Sequence, residues 1–374
     1  MNGTVLIAGA GLAGSRTAES LRARGYEGRI VLAGDEPHAP YERPALSKEL
    51  LAGTRTDVAL RPAVHWDEHG IELLTSHAVT EVDPARRTAL VDGSIVRWDS
   101  LVVATGARAR SLAGPPGVQT LRTLGDAQAL AAAVDETTRV LIVGAGFIGG
   151  EAASTLLPLA ASVTIVEPLA APLARVLGVE VGELLAARYR ASGVELRLGV
   201  GVEGFTGEDR VRGAALSDGS RVAADVVVLG IGAVPTSPFG GAIDVDEHGR
   251  SAWDDVYACG DVAAWHRPSL GRALRVEHWT SASGQARAVA AAIVGDAEPY
   301  DEPPYFWSDQ FGLRLQYVGH ADDWAAVELE GDEGSFTARY VRGDGALLGA
   351  LAVNRPREVP ALRRELAAAS TLPV

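Results

Sequence analysis

The chain of 374 residues is too long for one hydrophobic core and implies two or three domains. Its formal net charge of −14 argues against nucleic acid as a partner, and no apolar run is long enough to span a bilayer. The single cysteine, Cys259, rules out an intrachain disulfide, a CxxC redox pair and a cysteine-based zinc or iron–sulfur site.

From the N-terminus, Thr4 to Ala8 reads as a buried parallel strand, followed directly by Gly9-Ala10-Gly11-Leu12-Ala13-Gly14. This apolar start has no basic lead-in and reads as a strand rather than a signal peptide, so a cytoplasmic address is expected. The pattern predicts a helix to about Arg24, a stop at Gly25, and a strand over Arg29 to Ala33 that ends against Asp35 and Glu36. The same order returns at Arg139 to Val143, then Gly144-Ala145-Gly146-Phe147-Ile148-Gly149, a helix to about Leu159, a strand over Ser162 to Val166, and Glu167. Each is a full βαβ half. In such a turn the first glycine makes the bend, the second lets backbone approach a pyrophosphate, and the third lets helix pack on strand. The helix N-terminus offers unpaired N–H groups to phosphate, and the acid accepts a ribose hydroxyl. One chain is therefore expected to hold two dinucleotides.

Just past the first half lies Lys48, the one lysine among 34 basic side chains, which suggests either a need for a compact ammonium that a planar guanidinium cannot replace or chance placement. Ala104-Thr105-Gly106 ends a further strand where backbone can lie against a flat cofactor. Glu151 sits two residues past the second fingerprint, where placement in the first helical turn would itself favour an acid through the helix dipole. No arginine follows Glu167 until Arg175, which favours NADH over NADPH, because a carboxylate accepts the 2′-hydroxyl and repels a 2′-phosphate. Cys259 closes an apolar run and reads as a small buried filler. The stretch from Pro299 to Pro304 marks a boundary into a smaller α+β unit with strands such as Leu313 to Gly319 and Thr337 to Arg342 and a helix near Pro360 to Ala369. Arginines outnumber acids over 265–275 and 335–374, either as a docking face for an acidic protein or as solvated charges offsetting nearby acids.

Taken in order, GAGLAG at 9–14, YERPALSK at 41–48, LVVATGAR at 101–108, LRTL at 121–124, GAGFIGGE at 144–151, GIGAVP at 230–235, ACGDVA at 258–263, RVEHW at 275–279 and YFWSDQ at 305–310 cover nearly the whole chain. In these landmarks it resembles the FAD-dependent, NADH-oxidising ferredoxin reductases of bacterial oxygenase systems, the putidaredoxin-reductase-like group. The resemblance implies an α/β fold with two Rossmann-like, glutathione-reductase-like dinucleotide domains and a small C-terminal α+β domain. The FAD domain is expected to be discontinuous over 1–108 and 234–297, the NAD domain inserted over 109–233, and the last domain to run over 298–374.

By the same resemblance FAD would be lined by Gly9, Gly11, Leu12, Ala13, Gly14, Asp35, Glu36, Arg43, Lys48, Val79, Ala104, Thr105, Gly106, Arg122, Gly260, Asp261 and Trp279, with Trp307 close by. Gly144, Gly146, Phe147, Ile148, Gly149, Glu151, Glu167, Arg175 and Gly232 would line the nicotinamide nucleotide. Lys48 and Glu151 would face each other at the reacting edge of the flavin. The implied reaction is hydride transfer from NADH to FAD and two single-electron transfers to a [2Fe–2S] ferredoxin, itself feeding a cytochrome P450 or Rieske dioxygenase. No metal of its own is needed, and the oligomeric state is open.

The sequence departs from the group at Ala45, Thr236 and Ser281, and the stretch from Phe239 to Val256 is several residues short. Two rival readings share the fold. One is an NADH oxidase, rubredoxin reductase or disulfide reductase, of which the cysteine-dependent chemistries lack a cysteine between Pro37 and Leu60. The other is a flavin-bearing interaction protein of the apoptosis-inducing-factor type.

Overall fold

The computed structural model describes residues 3–369. The outermost residues of the first and last expected domains, 1–2 and 370–374, lie outside the described residues. Among the described residues there are seven α-helices: α1 (Leu12–Ala23), α2 (Val64–Glu68), α3 (Leu124–Ala133), α4 (Phe147–Leu156), α5 (Ala174–Ala191), α6 (Trp279–Ile293) and α7 (Val359–Ala369).

The first sheet is wholly parallel, in the order Val256–Ala258, Ser100–Val103, Thr4–Ala8, Arg29–Ala33, Ile71–Leu74. Near-continuous apolar strands follow from burial on both faces. Leu6, Ile7, Leu32 and Val102 are fully enclosed, and α1 packs along α6 over this core. Gly25 ends α1 at positive φ, with Tyr26 N–H donating to Leu21 O and Gly25 N–H to Arg22 O, the paired bonds of a Schellman stop.

The second sheet repeats the plan from different residues, in the order Glu195–Leu198, Ser162–Glu167, Arg139–Val143, Val226–Leu229, Val118–Thr120, again all parallel. An antiparallel pair, Ala107–Ala109 with Ala233–Pro235, joins the places where the chain passes between the two sheets. Helix α4 ends at Leu156, three residues before the expected Leu159, because Pro158 has no N–H to give Ser154 O and the chain leaves through turns at Leu159 and Ala160.

The third unit is a five-stranded antiparallel sheet in the order Tyr305–Gln310, Leu313–Gly319, Leu347–Val353, Ser335–Val341, Ala326–Asp332, covered by α7. Its first hairpin turns at Phe311 and Gly312, both at positive φ, the two-residue geometry that matches strand twist. Phe311 tolerates this because Ser154 Oγ accepts its N–H at 2.8 Å and Arg188 Nε donates to its carbonyl at 2.8 Å. The hairpin tip is thus pinned to α4 and α5, and the Tyr305–Gln310 strand lies along α4. Among the described residues, no helix is long and apolar enough to cross a membrane.

Candidate active site

The two glycine turns are built alike. A Cβ on Gly9, at φ +112°, would collide with Ala104 O and lie 2.7 Å from Thr105 N, so the turn presses on the Ala104-Thr105-Gly106 segment. A Cβ on Gly144, at φ +97°, would sit 2.5 Å from Gly230 O in the equivalent place. Gly260 closes on Ala13, where an added Cβ would come within 2.9 Å of the Ala13 methyl. The residues expected to follow FAD at 9–14, 104–106 and 260–261 are therefore neighbours.

Gly11 and Gly146 are the N-caps of α1 and α4, and neither helix has a side-chain cap or an acid in its first turn. A side chain at Gly11 would point into open space. Free N–H groups, an unopposed dipole and an uncovered approach are what a pyrophosphate requires, so both turns fit a dinucleotide.

Around the second turn lies a cleft of about 460 Å³. It is lined by Gly144, Gly146, Phe147, Ile148, Glu167, Arg175 and Gly232, which were expected along the nicotinamide nucleotide, and by Arg43 and Arg122, expected along FAD. Gly149 lies beneath the turn, where an added Cβ would collide with Gly144 O. Glu167 is buried, and its two oxygens accept Ala145 N–H at 2.7 Å and Leu169 N–H at 3.0 Å. The same carboxylate therefore shapes the glycine turn and faces the cleft. Arg175, in the first turn of α5, lines the cleft beside it.

Acidic residues at the end of the second strand divide their work. Asp35 is exposed, whereas Glu36 accepts from Tyr41 Oη and from Arg43 Nη2, both at 2.5 Å. Arg43 also donates to Arg122 O at 2.8 Å, and Arg122 Nη2 donates to Asp261 Oδ2 at 2.6 Å. Asp261 is thereby paired across the fold and does not cap α6, whose N-cap is His278. Val79 begins a strand packed on the first core, and Trp279 opens α6, both half-buried.

Lys48 and Glu151 meet: Nζ lies 2.8 Å from Oε1, with both side chains largely buried. Neither lines the cleft, although Leu46, Ser47, Phe147 and Ile148 beside them do. Glu151 is the fifth residue of α4, one turn in, so the first-turn dipole does not account for it. Ser47 and Ser308 also donate to it, at 2.5 and 2.6 Å. Both serines lie within sequence motifs, Ser47 in YERPALSK and Ser308 in YFWSDQ, but a serine carries little signal until the fold brings it to a charge. Trp307 faces the other side of its strand from Ser308 and stacks with Tyr305, ring centroids 6.3 Å apart.

Cys259 is fully buried and its thiol is pushed up to about 12 by burial, as suits a packing residue. The arginine-rich docking face loses Arg267, which is 2% exposed, donates to Glu302 O and lies over the Tyr300 ring. Arg272 pairs with Asp322, and Arg339 and Arg342 pair with Glu365 and Asp344. Much of the local positive balance is therefore offset by neighbouring acids, while Arg357 and Arg364 remain exposed.

Residues 3–286 match the family model described as pyridine nucleotide-disulphide oxidoreductase, and residues 305–373 match the one described as reductase C-terminal. Rhodocoxin reductase of Rhodococcus erythropolis is 37% identical over 97% of this chain and 89% of its own length. The benzene 1,2-dioxygenase system ferredoxin–NAD(+) reductase subunit of Pseudomonas putida is 39% identical over 95% of this chain and 90% of its own. Among solved structures, the covalent putidaredoxin reductase–putidaredoxin complex superposes with a TM-score of 0.93 at 32% identity, covering 98% of this chain and 93% of the other. The chain belongs to the pyridine nucleotide-disulphide oxidoreductase family, among its putidaredoxin-reductase-like ferredoxin reductases.

Proposed function

We propose that this protein is an NADH-dependent ferredoxin reductase, with FAD held at the Gly9–Gly14 turn and NADH at the Gly144–Gly149 turn, delivering electrons to a [2Fe–2S] ferredoxin that serves an oxygenase. When bound, FAD supplies the change from two-electron to one-electron chemistry. The observation that carries the reading is the Lys48–Glu151 pair, which ties the segment after the first turn to the helix that begins at the second.

The chain's own residues bind and orient. The N-termini of α1 and α4 take the pyrophosphates, and Glu167 takes the ribose of NADH. Asp261, Arg122 and Arg43 form the polar wall on the FAD side. Lys48 presents a positive charge that Glu151 keeps in place at the flavin edge, a fixed electrostatic arrangement needing no reorganisation during transfer. Trp307 and the exposed arginines of the C-terminal unit are read as part of the ferredoxin-facing surface. Dependence on NADH is consistent with a cytoplasmic location, where that reductant is produced.

The purified protein is expected to carry FAD and to support NADH-dependent reduction of cytochrome c only when a [2Fe–2S] ferredoxin is added. Equal cytochrome c turnover without ferredoxin would contradict the ferredoxin assignment, and NADH consumed with oxygen as the acceptor would point instead to an NADH oxidase.

A further inference from the structure

Glu151 collects donors from separate parts of the chain. Lys48 and Ser47 come from the turn after the first βαβ half, and Ser308 comes from the Tyr305–Gln310 strand. Behind Ser308 the bonds continue: Gln310 Nε2 donates to Ser308 Oγ at 2.8 Å, and the Tyr189 hydroxyl of α5 donates to Gln310 Oε1. Ser47, Glu151, Tyr189, Ser308 and Gln310 are all buried.

This series has one polarity. A phenol donating to the amide oxygen turns the Gln310 NH₂ toward Ser308. A serine oxygen that accepts there aims its own proton at Glu151, so each bond orients the next. Of the titratable groups, Lys48 pairs with Glu151 directly and Tyr189 feels its charge. Burial, and then the charge of Glu151, push the Tyr189 phenol up, which keeps it a donor.

Gly150 supplies an independent observation. A Cβ there would collide with Gln310 Oε1 and lie 2.7 Å from Tyr189 Oη. The fourth glycine of GAGFIGG lies outside the dinucleotide turn and makes room for this series instead.

We infer that Tyr189, Gln310 and Ser308 are positioning residues, which fix the Glu151 carboxylate in one orientation and through it the Lys48 ammonium. The C-terminal unit thereby sets the charge at the reacting edge as well as offering a partner surface. This rests on the proposed role of the Lys48–Glu151 pair.

The test compares FAD-loaded parent, Ser308→Ala, Ser308→Thr and Tyr189→Phe. In Ser308→Ala the single-turnover rate of flavin reduction at saturating NADH should fall about tenfold, with half-saturation by NADH changed less than about twofold. The visible bands of the bound flavin should shift, and Ser308→Thr, which keeps the hydroxyl, should restore both rate and spectrum. Tyr189→Phe should give the same changes at smaller size, and it decides the matter if Ser308→Ala does not fold. Per-flavin rates and spectra that match the parent would overturn the inference. Failure of the parent itself to be reduced by NADH would instead overturn the functional reading.

Discussion

Arg122 Nη2 lies 2.6 Å from Asp261 Oδ2, joining the segment between the Val118–Thr120 strand of the second sheet and α3 to the turn that follows the Val256–Ala258 strand of the first. The two residues are 139 positions apart, one inside the span of the second sheet and one beyond its end. Arg43 donates to the Arg122 carbonyl, so one connected set of charges spans the proposed FAD wall.

Breaking that pair should loosen both cofactor and fold. Asp261→Ala leaves Arg122 partly buried without its carboxylate, a loss of about 1.5–3 kcal/mol for a hydrogen bond to a charged group. Chemical denaturation of the FAD-loaded protein should show a lower midpoint, and gel filtration should show lost flavin. Full FAD retention with an unchanged midpoint would remove Asp261 from the proposed wall.

Glu167 has two tasks, and substitutions can separate them. Glu167→Ala should weaken NADH at least about tenfold, the cost of a lost charge-assisted hydrogen bond, and should weaken NADPH much less. Glu167→Gln keeps an acceptor for Ala145 N–H and should preserve the glycine turn while still losing discrimination. Steady-state kinetics with both nucleotides checks this; equal loss for NADH and NADPH contradicts the ribose assignment.

Lys48→Arg keeps the charge but replaces a compact ammonium with a planar fork in a confined place. Flavin reduction by NADH should slow about tenfold with FAD still bound, as expected when a reacting-edge group is displaced. An unchanged single-turnover rate would make the lone lysine incidental.

Asp225 gives a pH signature remote from the site. Its hydrogen bonds from Arg139 hold the carboxyl down, at about 2, with Arg210 adding to the effect. A depressed folded-state value means that the pair stabilises above the unfolded carboxyl range near 4 and loses this as pH falls toward about 2. Asp225→Asn should therefore lower the melting temperature at pH 7 and make little difference near pH 2. A deficit that persists undiminished at the acid end would contradict the ion-pair account.

Much of the architecture was legible because local patterns agree with global ones. Apolar runs before glycine turns gave the central strands of both sheets, and Leu313–Gly319 was read with the bounds it adopts. The helix after the second turn was read too long because apolar periodicity outweighed Pro158. At the site, motifs located the turns, Glu167 and the Lys48–Glu151 pair. The hydroxyl donors to Glu151 and the bonds behind them were not legible, since Ser47, Ser308, Gln310 and Tyr189 acquire meaning only when three units pack together. Arg267 misled for a related reason: an arginine looks like surface charge in sequence, yet here it lies over Tyr300 and donates to a carbonyl.

The most direct test of the electron path is anaerobic stopped-flow mixing of the FAD-loaded protein with NADH, followed by mixing with an oxidised [2Fe–2S] ferredoxin. The visible flavin absorbance should bleach rapidly, and the ferredoxin should then be reduced one electron at a time as the flavin colour returns. A slow bleach that ends in a long-lived reduced complex unable to reduce ferredoxin would contradict the assignment as a ferredoxin reductase.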